Sequence, residues 1–339
     1  MRVRSVNGRG NAHPNRGAGA VMTSVAMIAI FGFTALSVDL GNAWQNRRHL
    51  VTATDSAALA AAQEYALHGV GCGPLADSYV ASNKPDATVT ACTPSPGASN
   101  GLTSGHVLVT AKTTIDYAFA PIIGVDSKTL ASTTVARFGI PSSVGGLRPF
   151  GLCYDALLDL PEFSTWDPTS GPSDPVEIEY DKAAQPNACN GGDPVPGNWA
   201  TIDLDGGGNS NADIQNWTLN RFPGLIPPGL YPGDTGAFSP SLASELQILE
   251  DSQLIFPLPL FSSVTGNGSN SVFDIVGFVS VQIVDFRTNG DQAQRSLTLR
   301  FVAAVVEGAC CDAGGVDTGT RVLQICAVQA NDLSDCPVT

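Results

Sequence analysis

The chain has 339 residues, of which 43% are hydrophobic and only 14% charged, and its 31 acidic and 17 basic side chains give a formal net charge of −14. Four of the basic residues (Arg2, Arg4, Arg9 and Arg16) precede the first acid, Asp39, so the remainder carries 13 basic against 31 acidic residues, a formal −18. This charge argues against nucleic acid as a partner, and the length allows two modest domains with cores of their own.

The first predicted element is an apolar helix. Residues 18–38 form a run of 21 residues without a charge, and at about 1.5 Å per residue such a helix spans a hydrocarbon core of about 30 Å. Because the arginines lie only on its N-terminal side, we predict residues 1–17 as a cytoplasmic basic tail and residues 18–38 as a transmembrane helix. The predicted localisation is the cell membrane, single-pass, with the later domains extracytoplasmic.

Residues 39–69 are predicted to continue this helix as a stalk. One face carries Leu50, Ala53, Ala57, Ala60, Glu64 and Leu67 at three-four spacing. Small side chains let two backbones approach closely, so this face suits packing on a partner helix or sheet. Ala53, Ala57 and Ala60 are therefore candidate assembly contacts. Asp55 is a fourth, with a solvated helix face as its alternative.

Several motifs in this region occur together. They are Arg16-Gly17, Val38-Asp39-Leu40-Gly41, Arg47-Arg48 and the alanine-rich block at residues 54–62. With the apolar run, they resemble the N-terminal region of Flp pilus-assembly TadE/TadG-like proteins. The resemblance implies a membrane-anchored component of Flp-type (tight adherence) pilus assembly or secretion machinery, with the membrane and other machine subunits as partners. The alternative is a membrane-anchored surface-binding or adhesion module that shares the stalk.

Two forms of cleavage stay open as alternatives to a permanent anchor. A signal peptidase site is offered by Ala35-Leu36-Ser37, although the apolar run exceeds the usual signal core of about 7 to 15 residues. The resemblance also implies, as a further alternative, prepilin-type cleavage after Gly17 or Gly19. The fifth residue after either glycine is Met22 or Ser24, not the glutamate that pilin-like assembly generally uses.

Beyond the stalk we expect an α+β fold. Residues 70–141 are predicted as a small α+β unit with half-buried strands at 106–115 and 128–139, joined by the helix or turn that the resemblance implies at 117–124. Residues 142–149 are predicted as a linker. Residues 150–339 follow as a mainly-β exported domain with strands at 274–286 and 296–306 and a single helix at 242–249.

Eight cysteines lie beyond the apolar run, and an even number in an exported region predicts disulfides. They are Cys72, Cys92, Cys153, Cys189, Cys310, Cys311, Cys326 and Cys336. Proximity pairs Cys72 with Cys92 and Cys153 with Cys189. The adjacent Cys310 and Cys311 are expected to bond Cys326 and Cys336, since neighbouring cysteines seldom bond each other.

No stretch predicts catalysis, and we expect neither an enzyme nor a cofactor or small-molecule substrate. The Gly-x-Ser-x-Gly pattern at 97–101 lacks a flanking strand and helix, and the Asp-Thr-Gly motifs at Asp234 and Asp317 follow turn residues. All four histidines precede residue 150, which excludes a Ser/His/Asp set in the C-terminal domain.

One acid-rich loop is a weak calcium candidate. Asp203, Asp205 and Asp213 supply carboxylates, but the twelfth position of an EF-hand order is Ile214 instead of glutamate. A solvated turn is the alternative.

Overall fold

The computed structural model describes residues 16–70, 72–96, 103–179, 189, 201–207, 211–233, 240–266, 270–290, 295–311 and 315–326. The first elements are α1 (Arg16–His68), α2 (Gly73–Asn83), β1 (Thr88–Pro96), β2 (Gly105–Asp116), β3 (Ser127–Gly139) and β4 (Pro141–Val144), with a 3₁₀ turn at Ala120–Ile123. Next come β5 (Leu152–Cys153), α3 (Tyr154–Leu158), α4 (Pro161–Ser164), β6 (Val176–Glu179), α5 (Asn211–Asn220), β7 (Gly229–Pro232) and α6 (Ala243–Ser252). The last strands are β8 (Ile255–Thr265), β9 (Val272–Arg287), β10 (Ser296–Phe301), β11 (Ala304–Val305), β12 (Gly308–Cys310) and β13 (Thr320–Cys326). The α+β class predicted from the sequence is confirmed.

The apolar run and the stalk form one uninterrupted helix. α1 has 53 residues, a length of about 80 Å. It ends where Gly69, at φ +67°, takes the left-handed conformation that glycine adopts without strain. The first part of α1 projects away from the folded chain, and the second part packs on a sheet.

That sheet has five strands in the order β1-β2-β3-β13-β11. α1 and α2 cover one face, and the core between them joins alanines of α1 to Val107, Val109 and Phe138. Along β2 every second residue is buried, as the alternation from residue 107 to 115 predicts. The sheet is antiparallel except for β11, which runs parallel to β13.

The strand pairing crosses the predicted boundary at residues 142–149. Pro141–Val144 is a strand that pairs with β12, and residues 143–149 are buried, so this stretch does not have the exposure of a linker. β13, near the end of the described chain, pairs along β3 from Val322↔Gly139 to Cys326↔Val135. The division into domains stays a prediction, but the N-terminal sheet is completed by C-terminal residues.

The second sheet has six strands in the order β5-β8-β9-β10-β6, with β7 paired to β9. β9 and β10 contain most of the two strongest predicted strands, and α6 contains the predicted helix at 242–249. The expectation of a single helix in this region is wrong, since α3, α4 and α5 are also helical. α5 is a polar segment in which three of the described side chains, Ile214, Trp217 and Thr218, are buried, so its pattern of apolar residues is weak.

Two predicted disulfides are confirmed, Cys72–Cys92 and Cys153–Cys189. The third pairing is wrong, because Cys310 bonds Cys311. Cys311 lies against Gly139, the partner of Val322 in the sheet, and Cys326 is four residues farther along β13, about 13 Å away. That separation is too long for a disulfide. Cys326 is disulfide-bonded as well, and Cys336 lies outside the described residues.

Candidate functional site

The N-terminal part of α1 exposes apolar side chains around its whole circumference. Val21, Met22, Ile28, Phe31 and Phe33 are all at least 64% exposed. In the part of the chain that the structure describes, α1 is the one helix long and apolar enough to cross a membrane. A helix that is apolar on every side needs lipid or protein around it.

Asp39 lies where this apolar surface ends, and the chain itself binds its carboxylate. The side chain is 3% exposed and accepts hydrogen bonds from the backbone N–H groups of Ala118 (2.8 Å), Phe119 (3.0 Å) and Ala120 (2.7 Å). These three donors lie at the start of the 3₁₀ turn at the tip of the β2–β3 hairpin. Burial by itself would raise the pKa of the Asp39 carboxyl, but the three N–H donors outweigh it and lower that pKa. We call this contact the Asp39 clamp.

The alanine face of α1 packs on the chain's own sheet. Ala53 and Ala57 are fully buried, whereas Ala60 is only half-buried. From Ala57 onward the buried positions are Ala58, Ala61, Ala62 and Ala66, so the face is rotated by about one residue from the predicted one. Ala53 and Ala57 therefore have no surface left for another subunit in this fold. Ala60 keeps part of its surface, and the assembly contacts predicted on this face stay a prediction.

Asp55 also has a partner inside the chain. The buried Thr134 hydroxyl of β3 donates to Asp55 Oδ1 (2.7 Å) and lies 3.0 Å from Thr54 Oγ1. Thr54 Oγ1 is in turn 2.9 Å from the hydroxyl of Ser132. Asp55 is half-buried and hydrogen-bonded within the chain, and its role as an assembly contact stays a prediction. It fixes the register of α1 on β3.

The opposite side of α1 forms an open groove, which we call the stalk groove. It has a volume of about 680 Å³ and is lined by Gly41, Trp44, Gln45, Arg48, His49, Thr52 and Asn83. The Arg48 guanidinium stacks 4.9 Å from the centre of the Trp44 ring. Apart from Asn83 of α2, these side chains are carried by the helix itself. The groove leaves part of α1 accessible where the sheet does not cover it.

Residues 17–64 match the family model of the Flp pilus-assembly TadE/G-like proteins. We call residues 17–64 the TadE/G-like segment. The match confirms the resemblance and supports a role in pilus assembly. It covers about one-seventh of the chain, so it describes α1 and not the strands that follow. Comparison with curated proteins and with solved structures gives no match.

The TadE/G-like segment contains most of the features of α1 described above, and only the buried Ala66 lies beyond it. The features within it are the exposed apolar part, Asp39, the stalk groove apart from Asn83, and the positions from Ala53 to Ala62 that pack on the sheet. Their partners, Ala118–Ala120 and Thr134, lie outside the segment. Sequence reasoning missed these partners. The one signal is the Ser/Thr-rich pattern of β3, in which the buried Thr134 and the half-buried Ser132 place their hydroxyls within hydrogen-bond distance of Thr54 on the helix.

Two of the three calcium candidates are hydrogen-bonded within their own loop. Asp203 accepts backbone N–H groups of Asp205 (3.2 Å) and Gly206 (2.8 Å), and Asp205 accepts the N–H of Gly207 (2.8 Å). Asp213 lies in the first turn of α5. Among the described residues no group of three or more His, Cys, Asp or Glu is arranged for a metal ion. The contacts of Asp203 and Asp205 are those of a hydrogen-bonded turn.

The Asp-Thr-Gly motif at Asp317 forms a bend that is fixed by an ion pair. Asp317 Oδ1 lies 2.7 Å from Arg321 Nη1, and Asp317 Oδ2 accepts from Thr103 (2.9 Å). Burial alone would raise the pKa of Asp317, but Arg321 and these hydrogen bonds lower it. Asp317 is therefore held as a carboxylate. The catalytic acids of aspartic proteases differ, because two carboxyl groups there share one proton. The Gly-x-Ser-x-Gly pattern at 97–101 and the motif at Asp234 lie outside the described residues.

Proposed function

We propose that this protein is a non-catalytic, single-pass membrane component of Flp-type pilus assembly or secretion machinery. The observation that carries the proposal is the family match over residues 17–64, on the same helix whose apolar part has no partner in the described chain. The arginine bias before residue 18 supports a cytoplasmic N-terminus and extracytoplasmic later domains. The protein acts mechanically, as an anchored scaffold for other subunits.

The stalk groove is the surface that we assign to a machine partner. The opposite face of α1 is occupied by the chain's own sheet, so a partner helix reaches α1 from the groove side. Trp44 and Arg48 form a stacked aromatic and cationic pair, and Trp and Arg are both residue types enriched at the energetic centres of interfaces. The proposal moves the assembly contact from the alanine face to the groove.

Co-purification of the full chain from detergent-solubilised membranes tests this function. We expect the wild-type protein to retain inner-membrane subunits of the pilus machine and the Arg48→Ala variant to lose most of them. Arg47→Ala is the matched control, since Arg47 is an adjacent exposed arginine that does not line the groove. The control variant should bind like the wild type.

The outcomes separate the alternatives. Equal recovery with both arginine variants would remove the groove as the contact while leaving the assembly role in place. No recovery of machine subunits with the wild type, together with surface binding that persists in cells lacking the machine, would replace the assembly role by the adhesion module.

A further inference from the structure

The tip of the β2–β3 hairpin exposes an apolar surface that the fold does not cover. Residues 117–125, which we call the hairpin tip, contain no charge. Ile122 and Ile123 are 85% and 77% exposed, and Phe119 and Val125 are exposed as well. Adjacent exposed side chains of this size mark a contact site far more than scattered ones do.

The tip has a defined shape, so its isoleucines cannot turn inward. Its base is closed by the Tyr117 N–H donating to the Asp126 carbonyl (2.9 Å). Inside it, Gly124 donates to Pro121 (3.0 Å) and Val125 donates to Ala120 (3.2 Å). Gly124 takes φ +85°, and the Asp39 clamp binds the start of the turn. The apolar side chains are therefore presented outward by a braced turn.

The level of the tip along α1 follows from two contacts. Thr134 meets α1 at Asp55, and the tip meets it at Asp39. These helix positions are about 24 Å apart, and the eight residue steps from Thr134 back along β3 to Asp126, which directly precedes the strand, span about 26 Å. The hairpin thus runs along the helix axis. Its tip lies beside the residue that directly follows the apolar run.

A bilayer centred on the apolar run places this level among the headgroups. The hydrocarbon core of about 30 Å takes up residues 18–38, and a headgroup layer of about 6 Å adds about four residues of helix beyond it. Trp44 follows about two residues beyond that layer, close to the lipid–water boundary where aromatic side chains are enriched. Asp39 lies inside the layer with its charge bound by three N–H groups instead of water.

We propose that the hairpin tip inserts into the interface of the leaflet that faces the folded domains, as a second membrane contact beside the transmembrane helix. This inference rests on the proposed anchor. The lipid surface is chosen over a protein partner because the tip continues the apolar surface of α1 at the same level. The exposed Asp116, Asp126 and Lys128 at the strand ends limit the depth to the headgroup and upper acyl region.

A fluorescence experiment on the full chain tests the insertion. Ile122→Cys is labelled with an environment-sensitive NBD probe and reconstituted into phosphatidylcholine vesicles that contain nitroxide-labelled lipid. Ser78→Cys on the exposed side of α2 carries the same probe as the matched control. We expect blue-shifted emission at position 122 and severalfold stronger quenching there than at position 78.

The readouts separate this inference from the anchor. Retention of both variants after alkaline carbonate extraction supports the anchor. A retained chain whose probe at position 122 is as water-exposed and unquenched as that at position 78 overturns the insertion alone. Loss of the chain from the vesicles overturns the anchor and the insertion together.

Discussion

At the scale of single residues, Asp39 joins the end of the apolar run to the folded domain. Its pKa is lowered from 3.8, so its ionised form stabilises the fold above that pH. This contribution is lost only as the pH falls through the lower pKa of the folded state. The Asp39 clamp is therefore constant between about pH 5 and 8 and weakens in stronger acid.

We expect Asp39→Asn to loosen the hairpin tip. Asparagine has the size of aspartate but lacks the charge and one acceptor oxygen, and hydrogen bonds to a charged acceptor are the stronger ones. Amide hydrogen exchange of the full chain in detergent should accelerate by about tenfold at residues 118–120. Asp77→Asn, at an exposed carboxylate of α2, should leave that exchange unchanged. Equal protection in both variants would show that the clamp does not hold the tip.

At the scale of elements, the packing of α1 on its sheet depends on small side chains. Ala57 is fully buried, whereas Thr52 on the groove side is exposed. We expect Ala57→Leu to destabilise the α1–sheet unit by about 1–3 kcal/mol, because the added carbons have no space. Thr52→Leu should change stability by less than about 0.5 kcal/mol. Thermal unfolding of the full chain in detergent measures both.

The same unfolding temperature in both variants would contradict close packing of α1 on its sheet. If both leucine variants unfold at the wild-type temperature, the alanine face reflects helix propensity and not close contact. Membrane insertion is a separate property, carried by residues 18–38, and should survive both changes.

At the scale of the whole molecule, β13 ties the end of the described chain to the sheet that packs on α1. The domains after α1 therefore lie on one side of the membrane if α1 spans it. In intact spheroplasts we expect a membrane-impermeant maleimide to label Ser78→Cys on α2. Ser5→Cys in the basic tail should be labelled only after permeabilisation.

The wild-type chain is the control for these labels. The described cysteines are all disulfide-bonded, so the wild type should give little background under oxidising conditions. Labelling of Ser5→Cys in intact spheroplasts, with protection of Ser78→Cys, would reverse the orientation that the arginine bias predicts.

The amino-acid sequence by itself determined the features that depend on residues near one another in the chain. Composition defined the apolar run, three-four spacing identified a helix beyond it, and alternation located β2. Short separations paired Cys72 with Cys92 and Cys153 with Cys189. The motifs of residues 17–64 lie within a single helix, which is why they suffice to recognise the TadE/G-like segment.

Only the tertiary structure decided which distant residues meet. Asp39 binds Ala118, 79 residues away, and Asp55 binds Thr134, also 79 residues away. β13 completes the first sheet, and this register holds Cys311 away from Cys326. Composition and periodicity report which face of an element is apolar, but not which other element covers it. The partner depends on how the chain closes its loops, and in this fold the buried alanines of α1 pack on the chain's own sheet.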